Sequence, residues 1–193
     1  GKTWDISSRG TGSTCSAPGA VEAGKPIKTG STRFGYGCGT AGLDEMYGTA
    51  IMSEIFHREG IRTERILTIL ETPKGNGIGV RAAPNLIRPA HLFLYLKQSN
   101  YAALKQATDF LIDRQILNRE WKLAKGRNRY EMMARELCHR FAEFAAVLDR
   151  EYIFTWIDWD GDNLLSTGGI IDYGSIRQFG VRHDQYRYED VDR

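Results

Sequence analysis

The sequence predicts a mixed α+β fold, in which a small β-rich part with one helix precedes a mainly helical part. Residues 1–88 contain short apolar runs bounded by Gly, Pro and Asn and one amphipathic segment. Residues 89–193 instead carry long segments with apolar side chains at helical spacing. The chain has 193 residues, 41% of them hydrophobic, enough to form a core for one domain or one small two-lobed unit.

The β-rich part opens with a predicted strand over residues 3–7 and a stretch rich in Gly, Ser, Thr and Pro over residues 7–42. Backbone amides in such a stretch can approach phosphates closely, because glycine has no side chain in the way. A disordered linker is the alternative interpretation. Strands over residues 65–70 and 78–82, joined by a turn, complete a small predicted sheet.

One amphipathic helix is predicted over residues 43–59, and Gly60 ends it. Glu54 interrupts the apolar face of this helix between Ile51 and Ile55, which places it at or near a buried stripe. A buried carboxylate needs a basic partner. We therefore expect Glu54 to pair with a cation, with a solvent-facing position at the rim as the alternative.

The second part contains predicted helices over residues 91–98, 101–115 and 130–152. The last helix carries apolar residues that we expect in the core: Met133, Leu137, Phe141, Phe144 and Leu148. Just before these helices, Arg81 and Arg88 flank a segment bounded by proline. Solvated surface positions are the plain interpretation of such arginines.

Composition excludes several classes of function. The net charge is +2, so no nucleic-acid-binding surface or acidic tail dominates the chain. No apolar run reaches the length of a membrane span, and no secretory pattern opens the sequence. The three cysteines are widely spaced and form no CxxC pair, which argues against a disulfide scaffold or a zinc site. We expect a soluble cytoplasmic protein with no nucleic-acid or membrane partner.

The segment with the strongest chemical signal is residues 158–163, DWDGDN, followed nine residues after Asn163 by Asp172, Tyr173 and Gly174. Protein kinases hold magnesium with an Asn on the catalytic loop and an Asp that opens a D-F-G turn one hairpin away. The segment therefore predicts a metal-nucleotide site. A calcium-binding EF-hand is excluded, because Asn163 and Gly169 stand where that loop requires Gly and Glu. A solvated acidic turn is the remaining alternative.

The order of these elements is that of a protein-kinase-like two-lobed fold. Residues 1–88 are expected to form the β-rich N-lobe with the Gly-rich loop and the Glu-bearing helix. Residues 89–193 are expected to form a partial, mainly helical C-lobe with the catalytic loop and the metal-binding turn. A nucleotide cleft would lie between the lobes.

Several short motifs of the chain occur together in one known family. They are WDISSRGTG (4–12), SE (53–54), GIRTER (60–65), VRAAPNLIR (80–88), YAALK (101–105), DN (162–163) and IDYG (171–174). Together they resemble the selenoprotein O (SelO, YdiU) family of protein adenylyltransferases, which have a pseudokinase fold. The paired arginines Arg81 and Arg88 are the most specific of these motifs, because general kinases lack the pair. Relative to this family, the chain looks truncated at both ends, and Arg9 stands in place of the family's Lys.

The resemblance implies an enzyme that transfers AMP from ATP to Ser, Thr or Tyr hydroxyls of protein substrates. Its implied cofactors are ATP and Mg²⁺, or Mn²⁺ in its place. Asn163 and Asp172 would hold the metal, and Asp162 would take the proton from the acceptor hydroxyl. The other implied nucleotide-binding positions are Arg9, Gly39, Glu54, Arg81 and Arg88, with Glu54 orienting the basic strand residue. Oxygen ligands suit the metal and arginine forks suit phosphates.

Two other interpretations stay open. The first is a protein kinase that transfers the γ-phosphoryl group, because Asp158 precedes Asn163 by five residues, as the catalytic Asp does in H-R-D-x-x-x-x-N. The second is a catalytically inactive nucleotide-binding pseudokinase, favoured by Arg9 and by the segments missing relative to the family. A fold hosts several functions, and only the site decides between them.

Overall fold

A computed structural model gives the fold of the chain. It describes residues 1–13, 20, 23–31, 33, 37–122, 128–151, 153–155, 161–174 and 176–178. The strands are β1 (Asp5–Arg9), β2 (Arg65–Glu71), β3 (Gly77–Ala83), β4 (Ile153–Thr155), β5 (Leu164–Leu165), β6 (Gly169–Ile170) and β7 (Ile176–Gln178). The helices are α1 (Leu43–Arg58), α2 (Pro89–Lys97), α3 (Tyr101–Leu117) and α4 (Arg129–Arg150). The predicted mixed α+β class is confirmed.

The strands form three small antiparallel sheets. The largest has the order β1-β3-β2, and the pairs β4-β7 and β5-β6 form the others. Strand β1 begins two residues later than predicted. The reason is the side chain of Asn118, which accepts a hydrogen bond from the backbone N–H of Thr3 at 2.8 Å and donates one to the Thr3 carbonyl at 3.0 Å.

Helix α1 packs on β3 through two glycines. A Cβ atom at Gly79 would lie 2.7 Å from Sδ of Met46, and one at Gly77 would lie 2.6 Å from Cγ of the same side chain. Met46 is 1% exposed as a result. Because Gly77 and Gly79 carry no side chains, β3 accepts Met46, and this contact decides which face of α1 is buried.

The predicted apolar face of α1 is buried only in part. The buried side chains are Met46, Thr49, Ser53 and Phe56. Met46 of the predicted face is therefore inside, whereas Tyr47, Ile51 and Ile55 of the same face are 52%, 61% and 45% exposed. The two glycines of β3 accept Met46, and the small Thr49 and Ser53 let the helix approach closely. Tyr47, Ile51 and Ile55 lie outside this contact.

The first core cluster joins α1, α4 and the β5-β6 hairpin. It contains Phe56, Ile61, Phe144, Leu148, Leu164, Ile170 and Tyr173. A second cluster, with Leu111, Ile112, Trp121 and Met132 at its centre, packs α3 against α4. The apolar stripe predicted for α4 lies in or against these two clusters, which confirms that prediction. Through the first cluster, α1 and α4 both pack against the β5-β6 hairpin.

In the parts of the chain that the structure describes, no helix combines the length and the apolar character that crossing a bilayer requires.

Candidate functional site

The β5-β6 hairpin brings Asn163 and Asp172 to its open end. Leu164 lies opposite Ile170, and the backbone N–H of Ile171 donates to the carbonyl of Asn163 at 3.1 Å. The hairpin is fixed to the rest of the chain by backbone bonds, from Ile170 N–H to the Arg62 carbonyl at 3.1 Å and from Ser166 N–H to the Ile87 carbonyl at 2.8 Å. Asn163 and Asp172, which both carry side-chain oxygens, therefore flank a hairpin that is fixed to the rest of the chain.

Asn163 and Asp172 offer an amide oxygen and a carboxylate, the ligand types that Mg²⁺ accepts in proteins. Both residues are partly buried, and Oδ1 of Asp172 accepts a hydrogen bond from the N–H of Gly174 at 3.1 Å, which orients the carboxylate. Among the described residues, no group of three or more His, Cys, Asp or Glu side chains could hold a metal alone. Mg²⁺ commonly takes one or two protein oxygens and completes its shell with water and phosphate oxygens.

Arg88 meets Asp162 beside this turn. Its Nη1 donates to Oδ1 of Asp162 at 2.9 Å and to the Asp162 carbonyl at 3.0 Å. Arg88 precedes the first residue of α2, and the N–H of Ala90 donates to the carbonyl of Gly161 at 3.0 Å, which joins the start of α2 to the loop. Burial lowers the pKa of Arg88, and the Asp162 carboxylate opposes that shift. The predicted proton acceptor and one predicted phosphate-binding arginine are thus in contact.

Arg81 is paired with a carboxylate that the sequence analysis did not single out. Nη1 of Arg81 donates to Oε2 of Glu64 at 3.1 Å; the Glu64 side chain is 0% exposed and the Arg81 side chain 11%. Burial raises the pKa of Glu64, while the charges of Arg81, Arg9 and Arg88 oppose that shift. The three predicted phosphate-binding arginines therefore all act on this one carboxylate.

A signal for Glu64 exists in the strand alternation. Glu64 directly precedes β2 and shares strand parity with Ile66, which lies opposite Arg81 on β3. Alternate residues of a strand face the same side of a sheet. The register between β2 and β3 was needed to use this signal, and the sequence pattern alone does not supply a register.

Tyr173 joins the turn predicted to bind metal to the neighbourhood of Glu64. Its hydroxyl is hydrogen-bonded to the Thr63 hydroxyl, which also donates to the carbonyl of Ile170 at 2.9 Å. The ring is 9% exposed and lies 5.7 Å from the Phe56 ring, centroid to centroid. Burial, and then the charge of Glu64, raises the pKa of the phenol far above its ordinary value, so Tyr173 stays protonated.

Glu54 pairs with a cation, as expected, but at a partly exposed position. Glu54 binds Arg65 of β2 in a bidentate pair at 2.8 and 2.9 Å, and its side chain is 45% exposed instead of buried. The bond to Arg65 lowers the pKa of Glu54. Arg9 pairs instead with Glu45 in the first turn of α1. Glu45 and Glu54 are separated by about 13 Å along the helix axis, at about 1.5 Å per residue, so Arg9 at the end of β1 meets only the nearer one.

Gly39 has a structural reason to be glycine. Its φ is +83°, its carbonyl accepts from the N–H of Gly12 at 3.0 Å, and a Cβ atom would lie 2.0 Å from the backbone nitrogen of Ser13. Two backbone segments of the glycine-rich stretch therefore touch at this residue. The contact between Gly39 and a nucleotide stays a prediction. Asp158, the catalytic position of the kinase interpretation, lies outside the described residues.

A cavity of about 300 Å³ lies elsewhere, between the start of β1, the end of α1 and the end of α3. Trp4, His57, Asn85, Gln115 and Leu165 are among its lining residues. Among the described residues, none of those predicted to bind metal or phosphate or to act in catalysis lines it.

Comparison with known proteins adds no relative, since no protein-family model matches the chain and no curated protein matches it significantly.

Proposed function

We propose that the protein is an ATP-dependent protein adenylyltransferase with a two-lobed, protein-kinase-like fold, similar to the selenoprotein O family. It transfers AMP from ATP to Ser, Thr or Tyr hydroxyls of protein substrates in the cytoplasm. The observation that carries the proposal is the bond between Arg88 and Asp162 beside Asn163. This bond joins two residues that are 74 positions apart in the sequence: one of the paired arginines and the acid that precedes Asn163.

The proposed nucleotide-binding groups carry the charges that the substrate requires. Arg81 and Arg88 bind phosphate oxygens of ATP, because guanidinium groups form several directed bonds to such oxygens. Asn163 and Asp172 would hold Mg²⁺, which would neutralise charge on the phosphates. Arg9, which pairs with the exposed Glu45, adds a positive charge that acts on Glu64 together with those of Arg81 and Arg88.

Asp162 is the proposed general base. The acceptor oxygen attacks the α-phosphorus of ATP, the bond from that phosphorus to the oxygen bridging to the β-phosphate breaks, and pyrophosphate leaves. The hydroxyl proton moves to the Asp162 carboxylate. Asp162 is 58% exposed, so a protein substrate can reach it. Phosphate oxygens compete with Asp162 for Arg88, and ATP binding therefore frees the base when it is needed.

The test is incubation of the protein and a mixture of acceptor proteins with Mg²⁺ and ATP labelled at either the α- or the γ-phosphate. We expect protein-bound label from α-labelled ATP and none from γ-labelled ATP. Asp162→Ala should abolish incorporation, and Asp158→Ala should reduce it less. The matched control is Asp113→Ala, which removes a carboxylate of similar exposure on α3.

Each other outcome identifies a different function. Incorporation of γ-label alone, lost in Asp158→Ala, would show a protein kinase. Incorporation of neither label by a folded protein that binds ATP would show an inactive nucleotide-binding pseudokinase. Either result contradicts the proposed AMP transfer.

A further inference from the structure

Glu64 is a carboxylate at the centre of the charged cluster, and it is completely buried. Its side chain is 0% exposed, and its Oε1 has no hydrogen-bond partner among the described residues. Burial of a charged carboxylate with incomplete hydrogen bonding is costly. A hydrophobic residue of similar size would avoid that cost, so the carboxylate needs a role beyond packing.

The contacts of Glu64 connect two parts of the proposed site. On one side it accepts the bond from Arg81 at 3.1 Å. On the other side lies Tyr173, which follows the proposed metal ligand Asp172 and is bonded to Thr63, the neighbour of Glu64. The charge of Glu64 acts on the Tyr173 phenol. Glu64 thus stands between the arginine that would meet phosphate and the turn that would hold the metal.

We propose that Glu64 is a positioning residue that holds the Arg81 guanidinium in place for phosphate and fixes it relative to the Asp172–Gly174 turn. This inference rests on the proposed function. A guanidinium has five N–H donors, and the bond to Glu64 uses one of those of Arg81. The Nε of Arg81 is itself buried, so the Nη donors that Glu64 does not use are the ones left for phosphate.

Arg81 and Arg88 differ in how deeply their ion pairs are buried. The Arg88–Asp162 pair is exposed to solvent on the acid side, and such pairs are weak and exchange readily. The Arg81–Glu64 pair is buried on both sides, where the loss of one partner leaves an uncompensated charge. Arg81 is the fixed phosphate contact, whereas Arg88 exchanges between Asp162 and phosphate.

The test compares ATP and adenosine binding by the wild type, Glu64→Ala, Glu64→Gln and Glu131→Ala, measured by calorimetry with Mg²⁺ present. Glu64→Ala should weaken ATP binding by about tenfold or more, as the loss of a hydrogen bond to a charged group predicts, and leave adenosine binding within about twofold. Glu64→Gln keeps an oxygen that accepts from Arg81 and should restore part of the affinity. Glu131→Ala removes an exposed α4 carboxylate paired with Arg135 and should bind ATP like the wild type.

A double-mutant cycle makes the result independent of a general loss of packing. If Glu64 acts through Arg81, Glu64→Ala in the Arg81→Ala background should not weaken ATP binding further. Additive effects, equal losses for ATP and adenosine, or tighter ATP binding by Glu64→Gln than by the wild type would overturn the inference. If Glu64→Ala does not fold, the same cycle is measured with Glu64→Gln and Glu64→Asp, each alone and combined with Arg81→Ala.

The same binding data distinguish a failure of the proposed function from a failure of the inference about Glu64. If the folded wild type binds neither ATP nor adenosine, the proposed function is contradicted, and the inference about Glu64 falls with it. If the wild type binds ATP and the Glu64 variants bind it equally well, only the inference about Glu64 is overturned.

Discussion

At the scale of single residues, each arginine of the proposed site faces a carboxylate, and burial decides how much each pair matters. The pairs Arg9–Glu45 and Arg88–Asp162 have acidic side chains that are 46% and 58% exposed. Exposed pairs contribute about 0–1 kcal/mol to folding. Removal of one partner from a buried pair such as Arg81–Glu64 costs about 3–5 kcal/mol. The same substitution should therefore have different effects at Arg81 and at Arg88.

Arg81→Ala should lower the free energy of unfolding by about 3–5 kcal/mol, because it leaves Glu64 charged and buried without its cation. Arg88→Ala should lower it by less than about 1 kcal/mol. Both variants should weaken ATP binding much more than adenosine binding, because guanidinium groups meet phosphates and not the base. Chemical denaturation and calorimetry measure these quantities, with Arg135→Ala on α4 as the exposed control. Equal destabilisation by the two variants would contradict the assigned difference in burial.

His91 gives a prediction about pH. Its Nδ1 accepts a hydrogen bond from the backbone N–H of Arg88 at 3.2 Å. Partial burial of the ring lowers the pKa of His91, and the charge of Arg88 lowers it further. As the pH falls below about 6.5, the ordinary histidine value, the unfolded chain takes up this proton before the folded one, so the free energy of unfolding decreases.

Thermal melts at pH 7.5 and pH 5.5 test this prediction. The wild type should lose more stability over this range than His91→Gln, whose side-chain oxygen can accept the same bond without titrating. An equal loss in both proteins would show that His91 does not contribute to the pH dependence.

At the scale of elements, periodicity predicted which segments are helices and strands, but contacts across the sheet decided which faces are buried. Strands β2 and β3 and helices α1 and α3 lie within two residues of their predicted bounds. Of the apolar face predicted for α1, Met46 is buried against Gly77 and Gly79 of β3, whereas Tyr47, Ile51 and Ile55 are exposed. The apolar pattern of a helix does not contain the shape of the strand opposite, so the sequence alone could not predict this face.

Two glycines in the first half of the chain should respond to substitution in opposite directions. Gly39→Ala should destabilise the protein by more than about 1 kcal/mol, because the residue has a φ of +83° and its Cβ would meet the backbone at Ser13. Gly48→Ala lies inside α1, where a Cβ meets nothing within 4 Å, and should stabilise by up to about 1 kcal/mol. Denaturant unfolding of both variants measures the difference. Similar stability of the two variants would contradict the close contact between the two backbone segments at Gly39.

At the scale of the whole molecule, the site is assembled from segments that are distant in sequence. Thr63 meets Tyr173 across 110 positions, and Arg88 meets Asp162 across 74. The hairpin that separates Asn163 from Asp172 is local, and its spacing predicted it. The position of Glu64 between Arg81 and Tyr173 depends on the pairing of β2 with β3 and on the core that joins α1, α4 and the hairpin. Local patterns carry no information on these long-range contacts, which is why Glu64 was not predicted.

The central claim is that these segments form one metal-dependent nucleotide site, and thermal stabilisation by ATP tests it most directly. The wild type should show an upward shift in Tm with ATP that requires Mg²⁺, since only the bound form gains the binding free energy. Asp172→Ala should melt normally without ligand and lose the metal-dependent part of the shift, while Asp113→Ala keeps it. A full-size, Mg²⁺-dependent shift in Asp172→Ala would contradict the account.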